Sequence, residues 1–302
     1  MVERRFVDPA RMDVEQARVA SRAEPLDAQA AGFRSGRTDD VEERLLQGAL
    51  VSGARMKTSE EAHQYPLGVP MSLPRRLALL RWASHTGAWV VEDDYDSEFR
   101  YGARPVPCLH GLDVDGRVIY VGSFSKTLFP SLRLGFLIVP PDLQGGLVAA
   151  RAAADQHPPV LDQAVLADFI GEGHFARHLR RMRVAYRERL DALTDAAARY
   201  CRGALRLRPT RTGLHAIADL EGADAARVSR EAAARGVEAT PLSAYFARRG
   251  TRSNALVLGF AAVRPEAARR GMERLAAAIE GARRGQVLHS DIRSRASRHH
   301  GR

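Results

Sequence analysis

The sequence predicts an α/β protein with a mainly parallel sheet, followed by a smaller α+β domain. Two observations carry this prediction. From residue 62 to about 200, short apolar segments alternate with helix-like segments, the order expected of parallel strands joined by helices. From about residue 204, short strands follow one another more closely between helices, as in a compact α+β domain.

The first helix of the α/β region is predicted to begin after Ser72 and to end at Gly87. Serine is a common helix cap, Pro74 fits the first helical turn, and glycine is the usual residue just past a helix end. The apolar side of this helix is predicted to consist of Leu77, Leu79, Leu80 and Trp82.

Three short apolar strands are predicted at 88–91, 117–121 and 134–139. In parallel sheets, polar residues just past the strand ends line the ligand crevice. This rule places the candidate site at Asp93–Tyr95 and Ser123–Lys126.

The rest of the chain divides by the same patterns. Helices are predicted at about 142–155 and 161–200, with the second bent near Gly171–Gly173. The smaller domain is predicted to have strands at 205–209, 213–220, 237–241 and 255–260 and helices at 223–235 and 265–281. The domains predicted are a poorly ordered segment at 1–61, a partial large domain at 62–200, a small domain at 201–281 and a disordered basic tail at 282–302.

Composition narrows the functional classes. The formal net charge of +10 is compatible with nucleic-acid binding, but 44 of the 46 basic residues are arginine, as expected from a GC-rich genome. A DNA-binding function therefore rests on charge alone. Cys108 and Cys201 form no paired motif, and no apolar run reaches the length of a membrane span or a signal peptide. A cytoplasmic protein is predicted.

Lys126 is one of only two lysines in the chain and closely follows the second predicted strand. A strand-end lysine that loses its proton can attack an aldehyde. The hydroxyls of Ser123 and Ser125 and the guanidinium of Arg133 are suited to a phosphate group.

Asp93 and Tyr95 lie two residues apart at the end of the first strand, so both can face the same side. A carboxylate can keep a pyridine nitrogen protonated, and a phenol can hydrogen-bond the ring oxygen. With Lys126 as a Schiff-base lysine, these groups fit the cofactor pyridoxal 5′-phosphate.

Two metal-binding alternatives are less favoured. Asp93, Asp94 and Asp96 could hold magnesium. His174 and His178 are spaced for one helix face, but neighbouring arginines would repel a cation, so a helix-surface role is preferred. No metal is predicted.

Four segments carry a family resemblance: 63–68 (HQYPLG), 92–101 (EDDYDSEFRY), 122–135 (GSFSKTLFPSLRLG) and 171–178 (GEGHFARH). They closely resemble the C-terminal domain of MocR-type transcriptional regulators of the GntR superfamily. In these proteins a winged helix-turn-helix is fused to a type I aminotransferase fold. The resemblance extends from about residue 63 to about 279 and implies the type I fold of pyridoxal-phosphate-dependent transferases, with the large domain only partly present.

By this resemblance, Lys126 is the Schiff-base lysine, Asp93 the partner of the pyridine nitrogen and Tyr95 the residue at the ring 3-oxygen. Gln64 or Tyr65 takes the place of an asparagine near the ring in classical aminotransferases. The resemblance assigns the phosphate side of the cofactor to Ser123, Ser125 and Arg133.

The sequence departs from the family in two places. Relatives carry a Gly-Phe-Ala-Arg pattern whose arginine binds a carboxylate, whereas this chain reads Gly-Phe-Ala-Ala at 259–262, with Arg264 two residues further along the same expected strand. Residues 1–60 contain neither a glycine-rich phosphate loop nor an aromatic residue suited to stack on the ring, nor a winged helix-turn-helix. We expect a truncated relative without a DNA-binding domain.

The function predicted from these features is a pyridoxal-phosphate-binding, aminotransferase-like domain related to the effector sensor of transcription regulators. Its expected partners are a small amino acid or amine and, by the resemblance, a second copy in a homodimer. Two alternatives stay open: a catalytically active transaminase, and an inactive remnant without cofactor.

Overall fold

The computed structural model describes residues 56–60, 65–102, 107–155, 160–246 and 253–299. These residues form two compact units. The first unit holds the described residues of 56–60, 70–98 and 107–180, and the second those of 65–69, 99–102 and 181–299.

The first unit contains a four-stranded sheet in the order β1-β2-β3-β4. Its strands are β1 (Met56–Glu60), β2 (Trp89–Asp94), β3 (Val118–Ser123) and β4 (Gly135–Ile138). Strands β1, β2 and β3 run parallel, and β4 is antiparallel to β3. The predicted mainly parallel sheet is confirmed, with one antiparallel pair at its edge.

Strand β1 is not predicted from the sequence pattern. It pairs with β2 along its full length, from Met56 opposite Trp89 to Glu60 opposite Asp93. Its sequence, MKTSE, lacks the apolar alternation of an isolated strand, so pairing with β2 defines it rather than local propensity. The predicted disorder of 1–61 is thus wrong at 56–60, and the rest of that segment lies outside the described residues.

Helix α1 (Leu73–Thr86) has the predicted boundaries, and Gly87 ends it in the left-handed conformation at φ 69°. The buried face differs from the prediction, because Arg76, Leu79 and Ala83 are buried while Leu77 and Trp82 are exposed. Positions three and four residues apart share one helix face, and the buried set follows that spacing.

Buried Arg76 is held by backbone carbonyls. Its Nε donates to Met71 O at 3.0 Å, and its Nη1 donates to Pro107 O at 2.8 Å. These bonds tie the start of α1 to the segment that precedes the next helix. Against the sheet, α1 contributes to a core made of Leu79, Ala83, Val90, Leu109 and Val118.

Glu92 on β2 is fully buried and caps the short helix α2 (Leu109–Leu112). Its two carboxylate oxygens accept from the backbone N–H groups of Leu109, at 2.9 Å, and His110, at 2.8 Å. A negative charge at the N-terminus of a helix satisfies donors that lack intrahelical partners.

Three helices follow β4: α3 (Pro141–Asp155), α4 (Val160–Gly171) and α5 (His174–Tyr200). The sequence predicts one bent helix over 161–200, whereas the structure has a break. Gly173 has a φ of 73°, a left-handed conformation that ends α4, and its N–H donates to Ile170 O at 3.0 Å.

The second unit contains an antiparallel sheet in the order β5-β6-β8-β7. Its elements are β5 (Leu205–Leu207), β6 (His215–Leu220), α6 (Ala225–Ala233), β7 (Thr240–Pro241), β8 (Ala255–Gly259) and α7 (Pro265–His299). A core cluster of this unit comprises Ile217, Leu242, Ala255 and Val257. The smaller α+β fold agrees with the pattern read from the sequence.

Two predicted boundaries differ from the structure. The division between the units falls inside α5, at Arg180, rather than at residue 200. Helix α7 continues to His299, past the predicted end at 281, so the tail predicted to be disordered is helical over 282–299. That stretch contains no proline and is rich in arginine, a strong helix former.

One further property concerns membranes. Among the residues that the structure describes, no helix is both long enough and apolar enough to span a bilayer.

We expect Glu92→Gln to lower the free energy of unfolding by about 1–3 kcal/mol, because a buried backbone N–H would then face an amide NH2 group. Urea denaturation followed by circular dichroism measures this change. The control is Asp115→Asn, in an exposed loop, with an expected change within about 0.5 kcal/mol. Equal unfolding midpoints for wild type and Glu92→Gln would contradict the capping role.

Candidate functional site

The ends of three neighbouring strands meet at one edge of the first sheet. Asp94 at the end of β2 lies opposite Gly122 near the end of β3, and Ser123 lies opposite Gly135 at the start of β4. The segments that follow β2 and β3, and the residue Arg133 that precedes β4, therefore lie at this common edge. The predicted polar positions are brought together here.

Two glycines allow β3 and β4 to approach closely at this edge. A Cβ atom added to Gly122 would overlap the ring of Phe136. A Cβ atom added to Gly135 would come within 2.9 Å of the carbonyl oxygen of Gly122. A side chain at Gly122 would displace the Phe136 ring, and one at Gly135 would press on the backbone of β3.

A tight turn follows β3 and carries Lys126. The hydroxyl of Ser123 accepts from the backbone N–H of Ser125 at 3.1 Å, and the N–H of Leu128 donates to Phe124 O at 2.8 Å. Ser123 and Ser125 are partly buried, whereas Lys126 is exposed. The turn fixes the backbone on both sides of the lysine and leaves its side chain open to solvent.

Arg133 has a left-handed backbone, with a φ of 54°, at the end of a 3-10 helix over Pro130–Leu132. For a residue other than glycine this conformation costs roughly 1–2 kcal/mol. Next to it, Leu134 O accepts from the N–H of Phe124 at 3.1 Å, which joins the start of β4 to the Lys126 turn. The strained residue is exposed at the sheet edge.

Asp94 has structural partners. Its carboxylate accepts from the phenol of Tyr120 at 2.8 Å and from the backbone N–H of Ser97 at 3.2 Å. Burial, followed by the charge of Asp94, raises the pKa of Tyr120, so the phenol stays protonated and continues to donate. Asp94 therefore anchors the loop after β2.

Lys126 is electrostatically coupled to the acidic segment after β2. Asp96 is only 2% exposed. Burial first, and then the neighbouring charges of Asp94, Glu98 and Asp93, raise the pKa of Asp96 to about 8, while the positive charge of Lys126 acts in the opposite direction. The register of β2 with β3 places this segment and the Lys126 turn at the same edge of the sheet. Asp93 and Tyr95 are both partly buried within it.

The magnesium alternative requires that Asp93, Asp94 and Asp96 be arranged around one ion. Within the described ranges, no cluster of three or more His, Cys, Asp or Glu side chains has an arrangement that could hold a metal ion.

The sequence patterns missed a contact between the start of α5 and the Lys126 turn. His178 Nε2 lies 2.9 Å from Thr127 O, and the ring of Phe175 packs edge-on against that of Phe124 at 5.8 Å. The sequence predicts a surface role for His178, because spacing within one helix cannot reveal a partner 51 residues away along the chain.

Of Gln64 and Tyr65, the two candidates for the residue near the cofactor ring, Tyr65 belongs to the second unit. Gln64 lies outside the described residues. Tyr65 donates to the hydroxyl of Tyr245 at 2.9 Å, and its ring meets those of His215 and Tyr245 at 4.9 and 5.1 Å. Burial, followed by the hydrogen bond to Tyr245, raises the pKa of Tyr65.

The predicted placement of Arg264 on a strand is wrong. Strand β8 ends at Gly259, Ala261 and Ala262 form a turn, and Arg264 precedes helix α7. Its carbonyl accepts from the N–H of Ala268 at 2.9 Å, as in a helix start. The expectation that Arg264 shares a strand face with position 262 therefore does not apply.

Comparisons with known proteins identify relatives across most of the described chain. The model of the family Aminotransferase class I and II matches residues 64–275. The probable rhizopine catabolism regulatory protein MocR of Rhizobium meliloti is 43% identical over 217 residues, which cover 72% of this chain and 44% of the relative. Aromatic-amino-acid aminotransferase 1 of Thermococcus litoralis is 32% identical over 248 residues, which cover 81% of this chain and 59% of the relative.

Solved structures have the same fold. LysN, the α-aminoadipate aminotransferase of Thermus thermophilus solved with N-(5′-phosphopyridoxyl)-L-leucine, matches with a TM-score of 0.68 and 32% identity. The match covers 82% of this chain and 63% of LysN. The predicted transferase fold is confirmed.

The chain spans somewhat under half the length of the first three relatives, at 44%, 46% and 47%. The predicted kinship with MocR-type regulators is confirmed by these matches. Pyridoxal 5′-phosphate is the cofactor that the family and its solved neighbours imply. The chain belongs to the aminotransferase class I and II family, with MocR-type regulators and aminotransferases among its relatives.

Proposed function

We propose that this chain binds pyridoxal 5′-phosphate at Lys126 and acts as the sensor of an amino compound in a MocR-type transcription regulator. The observation that carries the proposal is the meeting of Lys126, an acidic segment and phosphate-suited groups at one sheet edge. Kinship with a regulatory protein supports the sensing role.

The donor set on the β3 side fits a phosphate. The hydroxyls of Ser123 and Ser125 are partly buried beside the turn, and Arg133 adds a permanent positive charge at the same edge. Hydroxyl and guanidinium donors together satisfy several phosphate oxygens. The strained backbone of Arg133 is consistent with a functional constraint at this position.

The acidic segment fits the ring of the cofactor. Asp93 is proposed to keep the pyridine nitrogen protonated, and Tyr95 to hydrogen-bond the ring 3-oxygen. Asp94 accepts hydrogen bonds from Tyr120 and Ser97. Asp93, directly before it at the end of β2, is the residue that the family resemblance assigns to the ring nitrogen. Gln64 is proposed to lie near the ring. When bound, the cofactor supplies an electron sink for the amino compound.

Asp96 adjusts the charge beside Lys126. With a pKa raised to about 8 by burial and neighbouring carboxylates, Asp96 is mostly neutral at pH 7. A neutral Asp96 reduces the negative charge of the segment that faces the lysine. The proposed role of Asp96 is therefore to moderate the electrostatic environment in which the amine of Lys126 reacts.

An active transaminase is the second candidate function, favoured by the identity to aromatic-amino-acid aminotransferase 1. Ala262 stands where relatives that bind a carboxylate carry arginine, and Arg264 lies at a helix start. This difference favours a sensor, or a ligand held in another way, over ordinary amino-acid turnover. The proposed ligand is a small amino acid or amine.

Two further proposals concern assembly and location. We propose a homodimer, in line with the predicted kinship to type I transferases. We propose a cytoplasmic location, because Cys108 and Cys201 form no disulfide with each other, as expected in a reducing compartment.

Lys126→Ala tests cofactor attachment. Wild-type protein mixed with pyridoxal phosphate is expected to gain the visible absorbance of the lysine-bound cofactor, and the variant to lack it. Lys57→Arg, which changes the other lysine of the chain, is the control and is expected to keep the absorbance. A colourless wild type would contradict the proposed function and leave the inactive remnant.

A keto-acid assay separates the two cofactor-dependent functions. We expect the coloured wild type to show a spectral change with a binding amine or amino acid but no sustained amino transfer to a keto acid. Steady-state product formation measured by chromatography would instead establish the transaminase. The Lys126→Ala variant provides the background rate.

Asp96→Asn tests the raised pKa of Asp96 through stability. Between about pH 4 and pH 8 the folded state keeps a proton that the unfolded state has released, so wild-type stability falls as pH rises through this window. As pH rises through this window, we expect the free energy of unfolding of Asp96→Asn to increase relative to that of the wild type by up to ~1.4 kcal/mol per pH unit. Urea unfolding at pH 5, 6, 7 and 8 measures the difference, with Asp115→Asn as the exposed control. A pH-independent difference would contradict the buried, neutral Asp96.

A further inference from the structure

The turn that carries Lys126 has local and long-range anchors. The local hydrogen bonds join Ser123 to Ser125 and Leu128 to Phe124. The long-range anchor is His178 on α5, whose Nε2 lies 2.9 Å from Thr127 O. All of these residues belong to the first unit.

In the bond between His178 and Thr127, the histidine is the donor. A carbonyl oxygen can only accept, so His178 Nε2 must carry the proton and donate it. This requirement is met by the neutral Nε2–H tautomer and by the protonated ring alike.

Thr127 is held on two sides. Its side chain is buried, at 2% exposure, and its hydroxyl donates to Phe124 O at 3.4 Å. His178 fixes its carbonyl from outside the turn, and Phe175, one helical turn earlier, packs against Phe124. Lys126 directly precedes this fixed residue and is itself exposed, so its backbone is held while its side chain is open.

We propose that His178 is a positioning residue for Lys126, whose ring N–H holds the Thr127 carbonyl and so sets the direction in which the lysine amine projects. The proposal rests on the proposed function in one respect, since it is the attachment of pyridoxal phosphate that reveals the orientation of the amine.

His174 provides a matched control on the same helix. It lies four residues before His178, but its ring interacts with Glu172 Oε2 at 3.0 Å and with an Arg177 guanidinium nitrogen at 2.7 Å. Its side chain is 47% exposed. Changing it removes an imidazole from the same helix but leaves the bond from His178 to Thr127 in place.

The test compares His178→Leu, His178→Gln and His174→Leu. Leucine cannot donate, whereas the glutamine amide can place an N–H at a similar reach. Each full chain is mixed with pyridoxal phosphate, reduced with borohydride at set times, and analysed by mass spectrometry for label on Lys126. Thermal unfolding of the unlabelled protein and the pH midpoint of the visible absorbance are recorded in parallel.

We expect labelling of His178→Leu to be slower than wild type by about tenfold or more, because a displaced reacting group loses rate steeply. His178→Gln is expected to stay within about threefold of wild type, since the hydrogen bond is retained. His174→Leu is expected to match wild type. The pH midpoint of the visible absorbance is expected to shift in His178→Leu and to stay at the wild-type value in His178→Gln and His174→Leu. Loss of packing by itself would not produce this pattern.

Three results would overturn the inference or its basis in distinguishable ways. A wild type that takes no label refutes the proposed function, and the inference with it. Normal labelling of wild type together with equally fast His178→Leu refutes the positioning role alone. Equal slowing in His178→Leu and His178→Gln, with equal loss of thermal stability, shows a packing role and also refutes it.

A second pair keeps the test decisive if His178→Leu does not fold. The amide of His178→Asn is one bond shorter than that of His178→Gln and falls short of the Thr127 carbonyl. We then expect slow labelling in the asparagine variant and nearly normal labelling in the glutamine variant. Equal rates in these two variants would refute the inference.

Discussion

The register between β2, β3 and β4 is the constraint on which the candidate site depends. Parallel pairing sets Asp94 opposite Gly122, and antiparallel pairing sets Ser123 opposite Gly135. A slip of one residue in either pair would turn every side chain to the other face and separate the two groups of polar residues. Glycine at 122 and 135 makes the close strand approach sterically feasible, because a Cβ atom at either position would collide with the facing strand.

Both electrostatics and packing act on the turn that carries Lys126. Burial and the neighbouring carboxylates keep Asp96 largely neutral at pH 7, so the acidic segment carries less negative charge than its composition implies. Helix α5 holds Thr127 through His178 and packs Phe175 on Phe124. The lysine is thus an exposed side chain on a fixed backbone, an arrangement suited to a residue that forms a covalent bond.

The sequence predicts those features that local patterns encode. The strand cores, the end of α1 at Gly87, the family and the polar positions after β2 and β3 all follow from composition and motifs. What it does not predict depends on partners distant along the chain. Strand β1 exists by pairing with β2, and the bond from His178 to Thr127 spans 51 residues. The buried side of α1 also differs, because Arg76 finds two backbone acceptors that no helical pattern reveals.

A crystal structure of the protein grown with pyridoxal phosphate would show directly whether the cofactor is attached to Lys126 at the edge formed by β2, β3 and β4. The expected result is continuous electron density from Lys126 Nζ into the cofactor, with the phosphate on the side of Ser123, Ser125 and Arg133 and the ring nitrogen beside Asp93. Cofactor bound away from the edge formed by β2, β3 and β4, or bound there without a link to Lys126, would contradict it.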